Sequence, residues 1–264
     1  MAETPADRAL LSTAVDEASA IARRHFRGSS RKWYKSPGQI VTEADIEVDR
    51  CLHEILIKAR PDDGWLSEER DDDGSRQECR RVWIVDPIDG TRSFAEGVPE
   101  FTISIALVVA GRPVLASILN PITSEHFQAA AGQGATLNGE PLRPTAHEDV
   151  AGASLLASKS EMKRRNWPAS LPEARFTTIG SLAYKLALVA AGRFDGLISL
   201  RPSHDWDLAA ALLMIQESGA WLGDAKGQTL VLNQTEIRHR GLVAAGTKPL
   251  YTRVLAHLEM IASS

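Results

Sequence analysis

Two aspartates stand three residues apart directly after a short apolar segment. Residues 81–85 are rich in β-forming side chains, and the motif Asp-Pro-Ile-Asp-Gly-Thr follows at residues 86–91. A strand ending here would present Asp86 at its carboxyl end, where α/β proteins place their ligands. Pro87 restricts the turn, and Gly90 lets the backbone approach a bound group closely. The spacing therefore predicts a ligand site at residues 86–91.

The chemistry of this segment suits a cation beside an anion. A short helix that starts after Thr91 would direct free N–H groups at an anion above Gly90 and Thr91. Mg²⁺ takes oxygen ligands and often bridges one or two carboxylates to a substrate phosphate. The structural alternative is an Asp-rich turn whose carboxylates only cap a helix, and this segment alone leaves both interpretations open.

Three further acidic positions lie at the edges of predicted elements. Asp45 stands at a helix start, Glu68 lies in a loop beside Glu69, and Asp207 begins the last long helix. Asp207 is a suitable N-cap for a helix at residues 208–218, and a cap can still present its free oxygen to a metal. Carboxylates are common on surfaces, so composition alone does not assign these residues to a site.

The predicted elements that position these residues alternate between helices and strands. Helical spacing covers residues 7–26, which Gly28, Ser29 and Ser30 end, and residues 42–58. Strands are predicted at 102–109 and 114–119, joined by a turn at 111–113, and Asn138-Gly139 marks another turn. The second half predicts a strand at 153–157, a helix at 181–191, a strand at 196–200 and a helix at 208–218. This alternation indicates an α/β fold.

Composition limits the class of protein. The 264 residues carry 44% hydrophobic and 24% charged side chains and a net charge of −4, so the basic excess of a nucleic-acid-binding protein is missing. No apolar segment approaches the ~20 residues that span a bilayer, and the N-terminus lacks a basic segment followed by an apolar one. The two cysteines are expected to be free thiols. We expect a cytoplasmic protein with no membrane contact.

The motifs resemble, in order, those of the inositol monophosphatase superfamily, the lithium-sensitive Mg²⁺ phosphatases. Residues 86–91 are similar to its Asp-Pro-(Ile/Leu)-Asp-Gly-Thr signature, and Trp206-Asp207 before a small-residue helix is similar to its second signature. Residues 41–45, residues 67–69 and the block at 180–192 match weaker motifs. The agreement extends from about residue 36 to residue 230, which makes chance similarity improbable.

The resemblance implies a role for each candidate residue. The expected ligands of two Mg²⁺ ions are Glu68, Asp86 and the Ile88 carbonyl for the first and Asp86, Asp89 and Asp207 for the second. Asp45 would hold a weaker third ion or bind Thr91, and Thr91 would orient the attacking water, so that Thr91, Asp45 and Glu68 form the catalytic set. The expected substrate contacts are Asp89, Gly90, Thr91, Ser181, Arg201 and Asp207.

The implied fold is a layered αβαβα sandwich of two packed subdomains, frequently a homodimer. We place the boundary near residues 144–149. Residues 1–145 would carry most of the metal ligands, and residues 146–264 would contribute Asp207 and the substrate contacts.

The resemblance implies a small phosphomonoester as substrate, and two branches of the superfamily differ in which one they hydrolyse. Inositol monophosphatases commonly have a Glu before Trp-Asp that binds the polyol, but residues 199–205 contain none, and Leu200 accepts no hydrogen bonds. Arg201 suits a second phosphate. This favours 3′-phosphoadenosine 5′-phosphate, with an inositol-1-monophosphatase or a broad-specificity sugar phosphatase as the alternative. A non-catalytic regulatory binding protein on the same scaffold is the alternative of a different class.

Overall fold

The computed structural model describes residues 3–28, 30–36, 39–162, 171 and 173–262. Ser29, assigned above to the end of the first helix, lies outside them. The helices within these residues are α1 (Pro5–His25), α2 (Glu43–Ala59), α3 (Thr91–Ala95), α4 (Lys159–Met162), α5 (Leu182–Ala190), α6 (Asp205–Ser218) and α7 (Lys248–Ala262). None of these helices has the length and apolar character needed to cross a membrane.

The strands of the described residues form one small hairpin and two larger sheets. They are β1 (Lys32–Ser36), β2 (Gln39–Thr42), β3 (Gly64–Ser67), β4 (Arg81–Asp89), β5 (Thr102–Val109), β6 (Arg112–Asn120), β7 (Glu125–Ala130), β8 (Ala135–Leu137), β9 (Glu140–Pro141), β10 (Ser154–Ala157), β11 (Arg175–Thr178), β12 (Gly196–His204), β13 (Trp221–Asp224) and β14 (Arg238–Ala245).

The larger sheet has the strand order β3-β4-β5-β6-β7-β8-β9. Strands β3 and β4 are parallel, and all the later neighbours are antiparallel. The second sheet has the order β11-β10-β12-β14-β13, in which β10 is parallel to both of its neighbours. Parallel pairs need helical crossovers, and α5 supplies the one that connects β11 to β12 on the two sides of β10.

Three hydrophobic cores hold five layers together. Apolar residues of α1 and α2 pack against one face of the seven-stranded sheet. The opposite face packs against α5 and α6, which in turn contact the five-stranded sheet. Helix α7 covers the outer face of that second sheet. This arrangement confirms the predicted αβαβα sandwich. The division at residue 145 stays a prediction, although every strand of the larger sheet precedes it and every strand of the smaller sheet follows it.

The start of α6 differs from the sequence prediction. The helix begins at Asp205, with His204 as its N-cap, so Asp207 is the third helical residue rather than the cap. Asp207 accepts a hydrogen bond of 2.6 Å from the backbone N–H of His204. A carboxylate at this position satisfies the cap residue's own N–H group, and Asp207 therefore still faces the helix entrance.

Several strand boundaries also differ. Strand β12 continues to His204, beyond the predicted end at residue 200, because it regains its pairing with β14 after an irregularity between Ser199 and Pro202. The turn predicted at 111–113 is formed by Ala110 and Gly111, which have positive φ, and the next two residues already belong to β6. The hairpin β1–β2 and strands β3 and β7 were not predicted.

Candidate active site

The backbone changes direction sharply at the end of β4. The strand keeps its pairing with β5 up to Asp86, loses register, and regains it at Asp89. Gly90 follows with φ +98°, and a Cβ atom at this position would lie 2.8 Å from the Glu100 carbonyl oxygen. Only glycine fits such a close approach in this conformation. Helix α3 begins at the next residue, Thr91, one residue earlier than the start after Thr91 that the sequence predicted.

Three carboxylates converge above this bend. One oxygen each from Asp86, Asp89 and Asp207 lies within 4.8 Å of the others. Glu68, which follows β3, interacts electrostatically with Asp86 and Asp207. Asp86 and Asp89 are buried, whereas Asp207 is partly exposed to the cleft. Four acidic residues from three separate segments of the sequence thus share one site.

The Asp89 carboxylate is fixed by the beginning of α5. The Ser181 hydroxyl donates a hydrogen bond of 2.5 Å to it, and the backbone N–H groups of Leu182 and Ala183 donate at 3.2 and 2.6 Å. The N-terminus of a helix also favours a carboxylate because the positive end of the helix dipole lies there. Ser181 itself is completely buried, so its predicted contact with substrate becomes a contact with Asp89, which it orients.

Thr91 and Asp45 are in direct contact. The Thr91 hydroxyl lies 3.0 Å from an Asp45 oxygen and 3.0 Å from the Ile88 carbonyl oxygen. The other Asp45 oxygen accepts hydrogen bonds from the backbone N–H and the hydroxyl of Thr42, at 2.8 and 2.5 Å. This geometry favours the second of the two roles considered for Asp45, the hydrogen bond to Thr91.

Burial and mutual repulsion raise the pKa values of these acids, so that their simultaneous ionisation is unfavourable. Burial, with Asp207 and Glu69 nearby, raises the pKa of Glu68 to about 8. Burial and the proximity of Asp89 raise the pKa of Asp207 to about 7. Burial also raises the pKa of Asp86, with Glu68 and Asp89 adding to the effect, and it raises the pKa of Asp45. Full ionisation of the cluster is therefore unfavourable without a cation, and a bound cation would stabilise the ionised form.

The donor set fits a hard divalent cation. Its oxygens come from carboxylates and a backbone carbonyl, the groups that Mg²⁺ prefers. Glu68, Asp86, Asp89, Asp207 and the Ile88 carbonyl are thus available as ligands, and the number of ions they would hold stays a prediction.

The same cleft also contains basic residues. The cleft that contains Glu68, Asp86, Asp89 and Asp207 is also lined by Gly90, Thr91, Arg92, Lys159 and Arg201. Arg201 was predicted from the sequence, but Arg92 and Lys159 were not. Arg92 follows the signature motif directly and could have been noticed for that reason, whereas nothing in the local sequence distinguishes Lys159 from a surface lysine.

The comparisons with known proteins agree with this geometry. A model described as the inositol monophosphatase family matches residues 5–263. The chain belongs to this family. Among its relatives, an inositol-1-monophosphatase of Rhizobium meliloti is 40% identical over 201 residues, which cover 73% of this chain and 75% of the relative. The Nus factor SuhB of Escherichia coli is 34% identical over 205 residues, with 73% and 74% covered.

The comparison with solved structures shows that the similarity covers the whole fold. The IMPase of Thermotoga maritima superposes with a TM-score of 0.85 at 26% identity, covering 97% of this chain and 98% of that one. Inositol monophosphatases are generally Mg²⁺-dependent, and the acidic cluster of this chain suits that requirement. Membership supports a phosphoric monoester hydrolase that acts on small phosphorylated substrates.

Metal binding and pH are expected to be linked through the raised pKa values. A carboxylate whose pKa is higher in the folded protein stabilises the fold below its ordinary pKa, and this contribution is lost as pH rises through the folded value. The melting temperature in EDTA should therefore fall between about pH 4.5 and pH 8, where Glu68 and Asp207 lose their protons. Mg²⁺ should restore it at about pH 8.5 but add little at about pH 5.5, because protons compete for the ligands.

Scanning calorimetry with EDTA or Mg²⁺ at both pH values measures this effect. The difference between the two conditions removes contributions from other titrating groups. An equal rise with Mg²⁺ at both pH values would contradict the assignment of these carboxylates as ligands.

Proposed function

We propose that this protein hydrolyses a phosphomonoester bond of a small metabolite with the help of Mg²⁺. The observation that carries the proposal is the convergence of Asp86, Asp89 and Asp207 within 4.8 Å, beside Glu68 and the beginning of α3. Phosphoryl transfer needs positioning and neutralisation of charge more than a protein nucleophile. A cluster of carboxylates next to a glycine bend and a threonine hydroxyl suits that chemistry.

The side chains divide the work by their position. Asp86, Asp89, Asp207, Glu68 and the Ile88 carbonyl would hold Mg²⁺, which when bound neutralises phosphate, acidifies a water and stabilises the leaving oxygen. The Gly90 and Thr91 amides bind the phosphate at the bend. The Thr91 hydroxyl, held by Asp45 and Ile88, orients the attacking water through its free lone pair. Ser181 keeps Asp89 in place.

The basic residues of the cleft support a substrate with a second anionic group. Arg92, Lys159 and Arg201 line the same cleft as the carboxylates, and guanidinium groups bind phosphate at two points. A nucleotide such as 3′-phosphoadenosine 5′-phosphate offers one phosphate for hydrolysis and another for these basic side chains. Inositol 1-phosphate is the second candidate, which the names of relatives such as the Rhizobium meliloti inositol-1-monophosphatase support.

A direct comparison of the two substrates tests both parts of the proposal. Phosphate release from 3′-phosphoadenosine 5′-phosphate and from inositol 1-phosphate is measured on purified protein with Mg²⁺ and with EDTA. We expect release that depends on Mg²⁺ and favours the nucleotide. A preference for inositol 1-phosphate would move the function to the second candidate, and the absence of Mg²⁺-dependent release from either would contradict a phosphatase acting on these two substrates.

Arg201→Ala is expected to weaken hydrolysis of the nucleotide much more than that of a monophosphate. Loss of a charged hydrogen-bond partner of phosphate typically costs about 2 kcal/mol, so kcat/KM for the bisphosphate should fall ~30-fold, with a change below about threefold for p-nitrophenyl phosphate. Arg112→Ala, an exposed arginine of β6 outside the cleft, is the matched control. Equal losses on both substrates would remove Arg201 from substrate recognition.

A regulatory binding protein on the same scaffold is the alternative of a different class. The similarity to the Nus factor SuhB of Pseudomonas aeruginosa and Escherichia coli supports keeping it. The complete set of Glu68, Asp86, Asp89, Thr91 and Asp207 favours catalysis, because a protein without activity has no need of an intact carboxylate cluster.

Four finer properties accompany this proposal. Two or three Mg²⁺ ions, inhibition by lithium, a homodimer and a cytoplasmic location are each implied by the family resemblance or by the composition. They stay predictions, which isothermal titration, a lithium series in the phosphatase assay, sedimentation equilibrium and cell fractionation would measure.

A further inference from the structure

Helix α5 contains one charged residue, Lys185, in an otherwise apolar sequence. The Lys185 side chain is only 2% exposed. Lysine is almost never buried so completely without a partner, because removing its charge from water is costly. Yet among the residues that the structure describes, no hydrogen bond to its ammonium group and no ion pair within 4.0 Å is found. The charge therefore needs another explanation.

The position of Lys185 on α5 relates it to the metal ligands. Ser181, one helical turn earlier, accepts the backbone hydrogen bond of Lys185 and donates its own hydroxyl to Asp89. Residues four apart occupy the same face of a helix, so Lys185 follows Ser181 on the face that meets the carboxylates. Burial lowers the pKa of Lys185, whereas the nearby acids, Asp89 and Asp207 among them, favour its charged form.

A third acid, Glu161, also compensates the charge of Lys185. Glu161 is buried, and one of its oxygens accepts backbone hydrogen bonds from Leu200 and Arg201 at 2.5 and 3.2 Å. The other oxygen binds the backbone N–H and the hydroxyl of Ser158. Four hydrogen bonds from three residues thus fix Glu161, and its charge, like those of Asp89 and Asp207, favours the charged form of Lys185.

We infer that Lys185 is a positioning residue of the metal site, whose buried positive charge weakens the binding of a divalent cation at Asp89 and Asp207. The inference rests on the metal site proposed above. Two like charges repel more strongly in a protein interior than in water, so a cation entering between Asp89 and Asp207 meets the repulsion of Lys185. The lysine also keeps these carboxylates partly compensated when the cation leaves.

Mn²⁺ binding without substrate tests the inference independently of activity. Isothermal titration is performed on the wild type, on the neutral variants Lys185→Met and Lys185→Gln, and on Lys185→Arg as the control that keeps the charge. We expect the neutral variants to bind Mn²⁺ about tenfold more tightly at the site formed by Asp89 and Asp207 and Lys185→Arg to stay within about threefold of the wild type. Unchanged or weaker binding in folded neutral variants would overturn the inference.

A measurement on the wild type covers the case in which both neutral variants fail to fold. The ammonium resonance of Lys185 is identified in ¹⁵N-labelled protein by its loss in Lys185→Arg. Stoichiometric Mn²⁺ should broaden it, because the paramagnetic ion would lie close to it, and an unaffected resonance would contradict the inference. A wild type that binds no Mn²⁺ would refute the proposed metal site as well, which separates the two failures.

Discussion

Asp86→Asn is expected to remove nearly all phosphatase activity, by about 10³-fold or more in kcat, which corresponds to ~4 kcal/mol of transition-state stabilisation. Asp86 is buried at the point where the other carboxylates meet, so it is the residue best placed to contact more than one cation. An amide keeps the size of the side chain but removes the charge, and a neutral oxygen is a poor replacement for a carboxylate ligand.

The same substitution should stabilise the metal-free protein and weaken the binding of Mg²⁺. Asp86 is held among acids that raise its pKa through burial and repulsion, so removing its charge relieves that repulsion. The melting temperature in EDTA should stay equal or rise, and the rise on addition of Mg²⁺ should be lost. Asp62→Asn, an exposed residue far from the cleft, controls for the chemical change. Wild-type activity of Asp86→Asn at saturating Mg²⁺ would contradict the assignment.

The local part of the site could be predicted because its signals are local. The apolar strand β4, the aspartates at 86 and 89, the glycine bend and the start of α3 all lie within eleven consecutive residues. Such a segment determines its own backbone through turn chemistry and strand propensity. Helices α1 and α2 could also be predicted from the spacing of their apolar residues, since each helix buries one apolar face against the same sheet.

The remaining contacts depend on tertiary packing and leave no comparable signal. Ser181 binds Asp89 across 92 positions of the chain, and that contact exists only because α5 packs against the face of the seven-stranded sheet. Residue type alone predicts Asp207 as a helix cap, because aspartate is a good cap. In the structure His204 is the N-cap, and its backbone N–H group donates a hydrogen bond to the Asp207 carboxylate. For Lys185 the sequence contained one signal of an unusual position, a charged residue inside an otherwise apolar helix.

Thr91→Val is expected to lower kcat about 10²- to 10⁴-fold, the range typical for loss of one positioned proton-handling group, with little change in KM or in Mg²⁺ affinity. The hydroxyl proton of Thr91 is directed at the Asp45 oxygen or the Ile88 carbonyl, each 3.0 Å away. Because both neighbours only accept, the hydroxyl oxygen keeps a lone pair that can accept a hydrogen bond from the attacking water. Valine keeps the shape and removes this acceptor.

Thr91→Ser separates the hydroxyl from the methyl group of the side chain. Serine keeps the oxygen and both of its acceptors, so this variant should retain activity within about tenfold of the wild type, the small loss reflecting freer rotation about χ1. The contrast between the two variants is more informative than either alone. Loss of the methyl group would lower stability in the serine variant, whereas loss of the hydroxyl group would lower activity in the valine variant. If Thr91→Val kept kcat within threefold, water would be oriented by Glu68 or by the metal ligands alone, and Asp45 would have only the structural task of capping α2.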